Sequence, residues 1–416
     1  MNRLSMLERK ERKRLFFVVS MWGVSLLTYV RVVMERIPVL NLFSDLFIPA
    51  AIIGIVLYSI SGVLRKVKMQ DVVLSLSLAF VFSLQFVLFT QNTSYLEENA
   101  LPFLVGTLPF LFVGIAFDSE KDLPYMEIVS VVTIVLGVFY MLYKAESGIL
   151  GEGENTENMG RAYAYLPHCL LLLHTTIKKF NLWRLFFWLV SIFIILGTGN
   201  RGSLVVVLVC AVLEFLFIKH YKRPVLSKSI VLVVALVILS FWNPILEYLF
   251  DMLETVGLSN RSLRFIVEGE FIADSNGRDN IVSTLSNALR YSPIFGYGIC
   301  GDRLLTGGLY AHNLLLELLI SFGPILGALL FCLILYAIIK CYFKCKNESD
   351  KGLWSIMIGC GFVTLFISDS FLVNKYFFMM LGFCISIIRT ASYKQTVKPT
   401  NVKYEENIYS NNLVQS

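Results

Sequence analysis

Charge is scarce in this chain. Lys, Arg, Asp and Glu make up 16% of its 416 residues, against about 25% in a soluble domain, and a mean hydropathy of +0.70 excludes a water-exposed globule. Nucleic acid is excluded as a partner too. The net charge of +6 is carried by short loops and a basic tail with Lys394, Lys398 and Lys403, a distribution that suits an anionic leaflet. The eight cysteines show no spacing that marks a disulfide framework or a zinc site. Cys169, Cys210, Cys332, Cys360 and Cys384 fall in apolar runs, where a thiol behaves as a small hydrophobe. Internal repeats of the transporter kind are absent. No small-residue cleavage site follows the first apolar stretch, which ends in Tyr29-Val30-Arg31 and is expected to stay as an anchor.

What the chain has in abundance is hydrocarbon: 56% of its residues are hydrophobic. Apolar runs near the roughly 20 residues that a helix needs to cross a bilayer recur along most of its length, and lipid leaves the backbone of such runs no alternative to the helix. The expected fold is all-α, a polytopic transmembrane bundle of about twelve spans with a long extracytoplasmic helical loop. Nine spans run Leu15 to Val30, Leu46 to Leu64, Val72 to Phe89, Leu101 to Phe117, Tyr125 to Tyr143, Ala162 to Thr176, Trp183 to Leu196, Ser203 to Ile218 and Ile230 to Tyr248. Three more run Leu314 to Ile339, Leu353 to Ser368 and Phe377 to Ile388. The organisation is one integrated membrane domain: spans one to nine over 1–249, the large loop over 250–310, spans ten to twelve over 311–389 and a polar tail over 390–416.

Basic residues set the orientation, because cytoplasmic loops carry the excess of Lys and Arg. Arg9, Lys10, Arg12, Lys13 and Arg14 precede the first span. Every second loop after that is basic, through Arg65, Lys66 and Lys68, then Lys178, Lys179 and Arg184, then Lys219, Lys222, Arg223 and Lys228, then Lys340, Lys344, Lys346 and Lys351. Both termini are therefore expected on the cytoplasmic side of a bacterial inner membrane and the long loop outside. The loop from Asp118 to Asp122 departs from the alternation, with one Lys against three acids.

Roughly sixty residues separate Phe250 from Tyr310, far beyond the usual connection length of about 12 to 15. Ser259 is a cap for one amphipathic helix through Leu263 and Phe271. Asp274 or Ser275 caps another, in which Ile281, Val282, Leu285, Ala288 and Leu289 recur at helical spacing before Ser292-Pro293 ends it. Pro293-Ile294-Phe295-Gly296-Tyr297-Gly298 then turns the chain back toward the bilayer.

Arginines on that side run against the orientation rule. Arg201 lies in a Gly-Thr-Gly-Asn-Arg-Gly turn, where glycines let backbone N–H groups approach an anion and the guanidinium offers a planar fork to phosphate oxygens. An arginine snorkelling to lipid headgroups is the plainer alternative. Arg278 opens a helix whose free N–H groups add to the same field. Arg261, Arg264 and Arg290 complete the outer set, with ordinary solvated positions as their alternative. Of four histidines, His168 and His174 fall within a span, where packing is the default, and His220 is cytoplasmic. Only His312 stands at an outer boundary, opening a helix that Gly323-Pro324 interrupts.

The motifs Asn200-Arg201-Gly202-Ser203, Asn276-Gly277-Arg278, Ser292-Pro293-Ile294-Phe295-Gly296-Tyr297-Gly298 and His312-Asn313-Leu314-Leu315-Leu316-Glu317, in this order around a long outer loop, resemble the O-antigen ligase and O-antigen polymerase family. The resemblance covers about half the chain, with Asn200 standing where serine is common. It implies a membrane glycosyltransferase of the GT-C class whose donor is a glycan on undecaprenyl pyrophosphate. It further implies that Arg201 and Arg278 contact the pyrophosphate and that His312 is the base. Asn200, Asn313, Arg261, Arg264 and Arg290 are the expected substrate-binding residues. Arginine neutralises a pyrophosphate leaving group without a metal, so no metal or other cofactor is expected. Partners are membrane lipid and the chain-length regulator and flippase of the same pathway. The expected activity is polymerisation of surface polysaccharide repeat units such as O-antigen, capsule or exopolysaccharide. A ligase passing finished glycan to a lipid, wall or protein acceptor is the alternative, and a polyprenyl-glycan flippase or solute transporter is a more distant one.

Overall fold

The computed structural model describes residues 3–146, 155–197, 200–217, 247–248, 251, 255 and 278–396, and no strand occurs among them. The expected ninth span, apart from Glu247 and Tyr248, lies outside the described residues, as do Arg261, Arg264, His220, the caps at Ser259, Asp274 and Ser275, and the end of the tail.

Among the described residues four helical stretches are long and apolar enough to cross a membrane: Met69–Leu88, Thr90–Ala116, Ser119–Met141 and Leu314–Lys344. A fifth results if the first two helices, α1 (Arg3–Trp22) and α2 (Val24–Arg36), bent by 67° at Gly23, form one span. This supports a multi-pass helical bundle, and the expected count of about twelve is not confirmed. The fourth expected span falls within one of these stretches, although it is a composite of α6 (Thr93–Leu101), a π-turn (Pro102–Thr107) and α7 (Phe110–Ala116), in which Pro102 lacks the N–H that would continue the ladder. The shortfall has local causes elsewhere. The seventh and eighth are short helices, α10 (Leu182–Gly197) and α11 (Arg201–Phe217), and the eleventh ends in α15 (Glu348–Gly361) and a 3₁₀ turn (Val363–Phe366). The remaining elements are α3 (Pro38–Asn41), α4 (Ser44–Val63), α5 (Met69–Leu88), α8 (Ser119–Glu146), α9 (Asn155–Lys178), α12 (Arg278–Arg290), α13 (Gly301–Thr306), α14 (Leu314–Lys344) and α16 (Lys375–Thr396).

Helix α9 is the axis of the core, with Tyr165, Leu166 and the run from Leu170 to Leu173 all buried. Its two histidines are held as packing positions. His168 sits between the Ser25 hydroxyl at 3.0 Å and the Ser130 hydroxyl at 2.9 Å, and His174 meets Glu214 at 3.1 Å. Helices α7 and α16 cross with their backbones touching: a Cβ on Gly114 would lie 2.0 Å from the Met379 carbonyl oxygen, and one on Gly382 would lie 2.0 Å from that of Leu111. Small residues at such a crossing are the ordinary means of helix association in lipid, where no hydrophobic drive operates between helices.

Polar contacts gather the loops into two groups. In one, Arg14 bonds Asp122 at 3.3 Å and the Ala116 carbonyl at 3.1 Å, Lys66 lies 3.7 Å from Asp118, and Arg389 holds Asp71 at 2.8 Å. Ser119 bonds Asp350, Asn347 reaches Glu120 and Lys178 reaches Ser349. Every loop here belongs to the set assigned to one side from basic residues. The acids between Asp118 and Asp122, which interrupt the charge alternation, are the partners of Arg14 and Lys66. The second group joins Gln85 and Asn92 to the backbone at Tyr297 and Ile299, and brings the 302–317 and 367–374 segments together. Helices α5, α14 and α16 each run from one group to the other.

Candidate active site

Helix α14 begins in the second group. Asn313 adopts an extended conformation (φ −154°, ψ 111°) and its Oδ1 accepts the Leu316 N–H at 3.1 Å, the N-cap geometry that a helix start requires. His312 precedes it at φ +50°, a left-handed conformation that costs a residue bearing a Cβ about 1 to 2 kcal/mol. The turn lays the imidazole against the Tyr310 ring, centroids 4.1 Å apart. Its Nδ1 is buried and has no hydrogen-bond partner among the described residues. Strain combined with an orphaned ring nitrogen is the pattern found where function rather than packing selects the conformation.

Beneath this turn lies a buried ionic cluster. Asp302 is fully buried, and its Oδ2 accepts the Ala311 N–H at 2.9 Å, which ties the residue before His312 to α13. Arg303 reaches Asp302 at 3.2 Å, Glu317 at 3.8 Å and the Ser370 hydroxyl at 3.1 Å. Ser370 in turn donates to Glu317, whose other oxygen accepts the Phe371 N–H at 3.4 Å. The Tyr310 hydroxyl donates to the Ser368 carbonyl at 2.8 Å. Burial, followed by the charge of Asp369, pushes this phenol up to about 12, so it stays protonated. Burial raises Asp302 as well, against the pull of Arg303.

Helix α12 brings in Arg278. Ile281 and Leu285 pack with Ala311, Leu316 and Ile320, as the helical spacing in the loop predicts, whereas Val282 stays exposed. Arg278 is the first residue of that helix and is half-buried. Its charge acts on His312, Tyr310 and Tyr163. Burial first, then Arg278 and Arg303, lowers His312 to about 4. The imidazole is therefore neutral at physiological pH and able to accept a proton, and it is held below its ordinary basicity by two guanidinium groups.

The chain returning from α12 docks in a break of α14. Gly323 (φ 81°, ψ 166°) is non-helical, and the Ile320 and Ser321 carbonyls accept the N–H groups of Tyr297 at 2.8 Å and Gly298 at 3.1 Å. A Cβ at Gly323 would lie 2.0 Å from the Ile294 oxygen, so only glycine permits this docking.

The Asn-Arg-Gly turn reaches the site from the α9 side. Asn200 Oδ1 accepts the Ser203 N–H at 3.0 Å and caps α11. A Cβ at Gly202 would meet the Tyr163 hydroxyl at 2.4 Å and Ile367 at 2.6 Å. Arg201 is the first residue of α11, and its side chain lies outside the described residues, as do Arg261 and Arg264. Arg290 is exposed at the other end of α12, about 18 Å from Arg278 at 1.5 Å per residue. The structure thus unites Arg278 and His312, carries the Asn200 turn to their neighbourhood through Tyr163, and leaves Arg290 apart. The oxygens of Asn200 and Asn313 are occupied in capping. Sequence reasoning passed over Arg303, Glu317 and Ser370. The Gly-flanked Asp302-Arg303 pair on the loop's return was a legible sign of the first, and no local pattern marks Ser370. Among the described residues no three His, Cys, Asp or Glu side chains are grouped to hold a metal ion.

Residues 185–332, from α10 to the middle of α14, match the protein-family model described as O-antigen ligase. No curated protein and no solved structure matches the chain. The matched interval contains Asn200, Arg201, Arg278, Arg303, His312 and Glu317, so over this part of its length the helical chain is similar to the O-antigen ligase family.

Proposed function

We propose that the chain polymerises repeat units of a surface polysaccharide (O-antigen, capsule or exopolysaccharide), moving glycan from undecaprenyl pyrophosphate to an acceptor sugar hydroxyl at the extracytoplasmic face of the bacterial inner membrane. The observation that carries this reading is the strained, unpartnered His312 beside the charges of Arg278 and Arg303. In the transfer, the acceptor oxygen bonds to the anomeric carbon, the hydroxyl proton passes to His312, and the bond to the pyrophosphate oxygen breaks. The leaving group departs as a multiply charged anion, which fixed guanidinium groups stabilise more than water would. Arg278 and Arg201 take the pyrophosphate, and arginine charge replaces a metal in this scheme. Anion binding also lifts the electrostatic depression of His312, so the base strengthens once donor is in place.

The family description favours a second reading, a ligase that passes finished glycan to another acceptor. Deleting the gene and sizing the carrier-linked glycan separates the two. Single repeat units on the carrier are the expected result. Full-length chains stranded on the carrier make the protein a ligase, and units trapped on the inner leaflet make it a transporter.

Orientation follows from the positive-inside alternation and from the meeting of the basic loops at one end of the bundle. With the lipid-facing Cys332 replaced, Ser283→Cys on α12 should label with an impermeant maleimide from outside the cell. Lys121→Cys should label only after permeabilisation. Labelling of both from one side removes the topology and the outward-facing site with it.

A further inference from the structure

A cavity adjoins the site. It has a volume of about 460 Å³ and is lined by Ser25, Tyr163, Thr364, Asp369, Lys375 and Tyr376, among others. Its size falls within the usual range for small-molecule sites. Tyr163 is the shared wall, since its hydroxyl also rests against Gly202 beside Asn200.

Lys375 is the anomaly of this cavity. It lies among the core helices yet remains only half-buried, because the cavity exposes it. Its Nζ stands 5.6 Å from the Phe110 ring centroid and 5.3 Å from that of Tyr376, and it takes part in none of the ion pairs among the described residues. The Asp369 carboxylate on the same wall instead accepts the Ser370 N–H at 2.9 Å. Lys375 is also the first residue of α16, where unpaired backbone N–H groups already create positive potential; Asn374 satisfies one of them, accepting from Phe377 at 3.0 Å. Two positive sources thus converge on a cavity whose one carboxylate, Asp369, forms no ion pair with Lys375. Cation–π contact offsets only part of the cost of desolvating an ammonium group. An ionisable residue kept in a membrane bundle without a partner marks a ligand position.

We propose that this cavity is a subsite for the acceptor and that Lys375 receives an oxyanion on it, a sugar carboxylate or a carrier phosphate. The hydroxyls of Ser25, Tyr163 and Thr364, the carboxylate of Asp369 and the ring of Tyr376 suit the rest of a carbohydrate. The assignment to the acceptor rests on the transferase reading above, whereas the anion site itself does not.

The test uses the full chain in phosphatidylcholine nanodiscs, with two probes: undecaprenyl phosphate and a glucuronate-terminated disaccharide. One of them should bind at least about tenfold more weakly to Lys375→Met and within about threefold of wild type to Lys375→Arg. Arg278→Ala should leave that binding in place. The probe affected identifies the anion's source. Without ligand, Lys375→Met should melt no lower than wild type, because it removes an uncompensated charge. Unchanged affinity for both probes, equal loss in Arg278→Ala, or an unfolded Lys375→Met would each overturn the site. A chain that passes these tests but transfers no glycan would sink the transferase reading and leave the anion site standing.

Discussion

Replacing His312 with alanine should lower the rate of glycan transfer by about 10² to 10⁴, the usual worth of a positioned general base, while donor affinity stays near wild type. The two effects separate because, in the proposed transfer, the imidazole serves the acceptor hydroxyl and the arginines serve the pyrophosphate. The pH profile gives a sharper signature. With its pKa lowered to about 4, the imidazole is protonated, and lost as a base, only below that value. It is available throughout the range above. The acid limb of kcat/KM, which reports the free enzyme, should therefore fall near 4 and not near the ordinary histidine value of about 6.5. The limb of kcat should lie higher, since bound pyrophosphate offsets the guanidinium charges. Near-normal turnover in purified His312→Ala would take this residue out of the mechanism, and loss of donor binding alone would reassign it to the phosphate site.

Replacing Arg303 with methionine should destabilise the site by about 3 to 5 kcal/mol, the typical penalty for removing one partner of a buried charge cluster. Asp302 and Glu317, both fully buried, would lose the cation between them, and Ser370 would lose its donor. Arg303→Lys keeps the charge without the fork that reaches Asp302 and Ser370 together, so a smaller loss is expected. The exposed Arg290→Met should change stability by no more than about 0.5 kcal/mol. Thermal unfolding in detergent measures all three. Equal stability of Arg303→Met and Arg290→Met would show that the cluster contributes nothing. Intact stability with lost activity would move Arg303 from scaffold to substrate contact.

Local patterns carried much of this architecture into view. The apolar spacing of Ile281 and Leu285 marks α12, His312 stands one residue before the N-cap of α14, and Gly323-Pro324 marks its break, because each is a property of a few consecutive residues. The span count was less legible. Hydropathy registers the apolar runs of α10 and α11 but not how short those helices are, and it registers α15 without its early end at Gly361. Likewise, the acids at Asp118 and Asp122 look anomalous in a basic-loop pattern until the fold supplies Arg14 and Lys66. The candidate site divides along the same line. His312 and Arg278 stand out as rare residues at helix starts. The assembly of Arg303, Glu317 and Ser370 comes from three distant segments, and no window along the chain contains it. Lys375 has no motif around it in the sequence and becomes unusual only when its surroundings are known.

The order of synthesis gives the break at Gly323 a further meaning. A chain made from its N-terminus has Tyr297 and Gly298 in existence before α14 is complete. Their N–H groups wait for the Ile320 and Ser321 carbonyls, and those carbonyls stay unclaimed within the broken helix until the loop meets them. Each segment is the template for the other. The rim that joins Arg14, Lys66 and Asp122 includes contacts between early segments and closes in part beforehand, so the mouth around His312 matures late. A chain stalled before α14 is in place would have much of its scaffold and none of the cluster around His312.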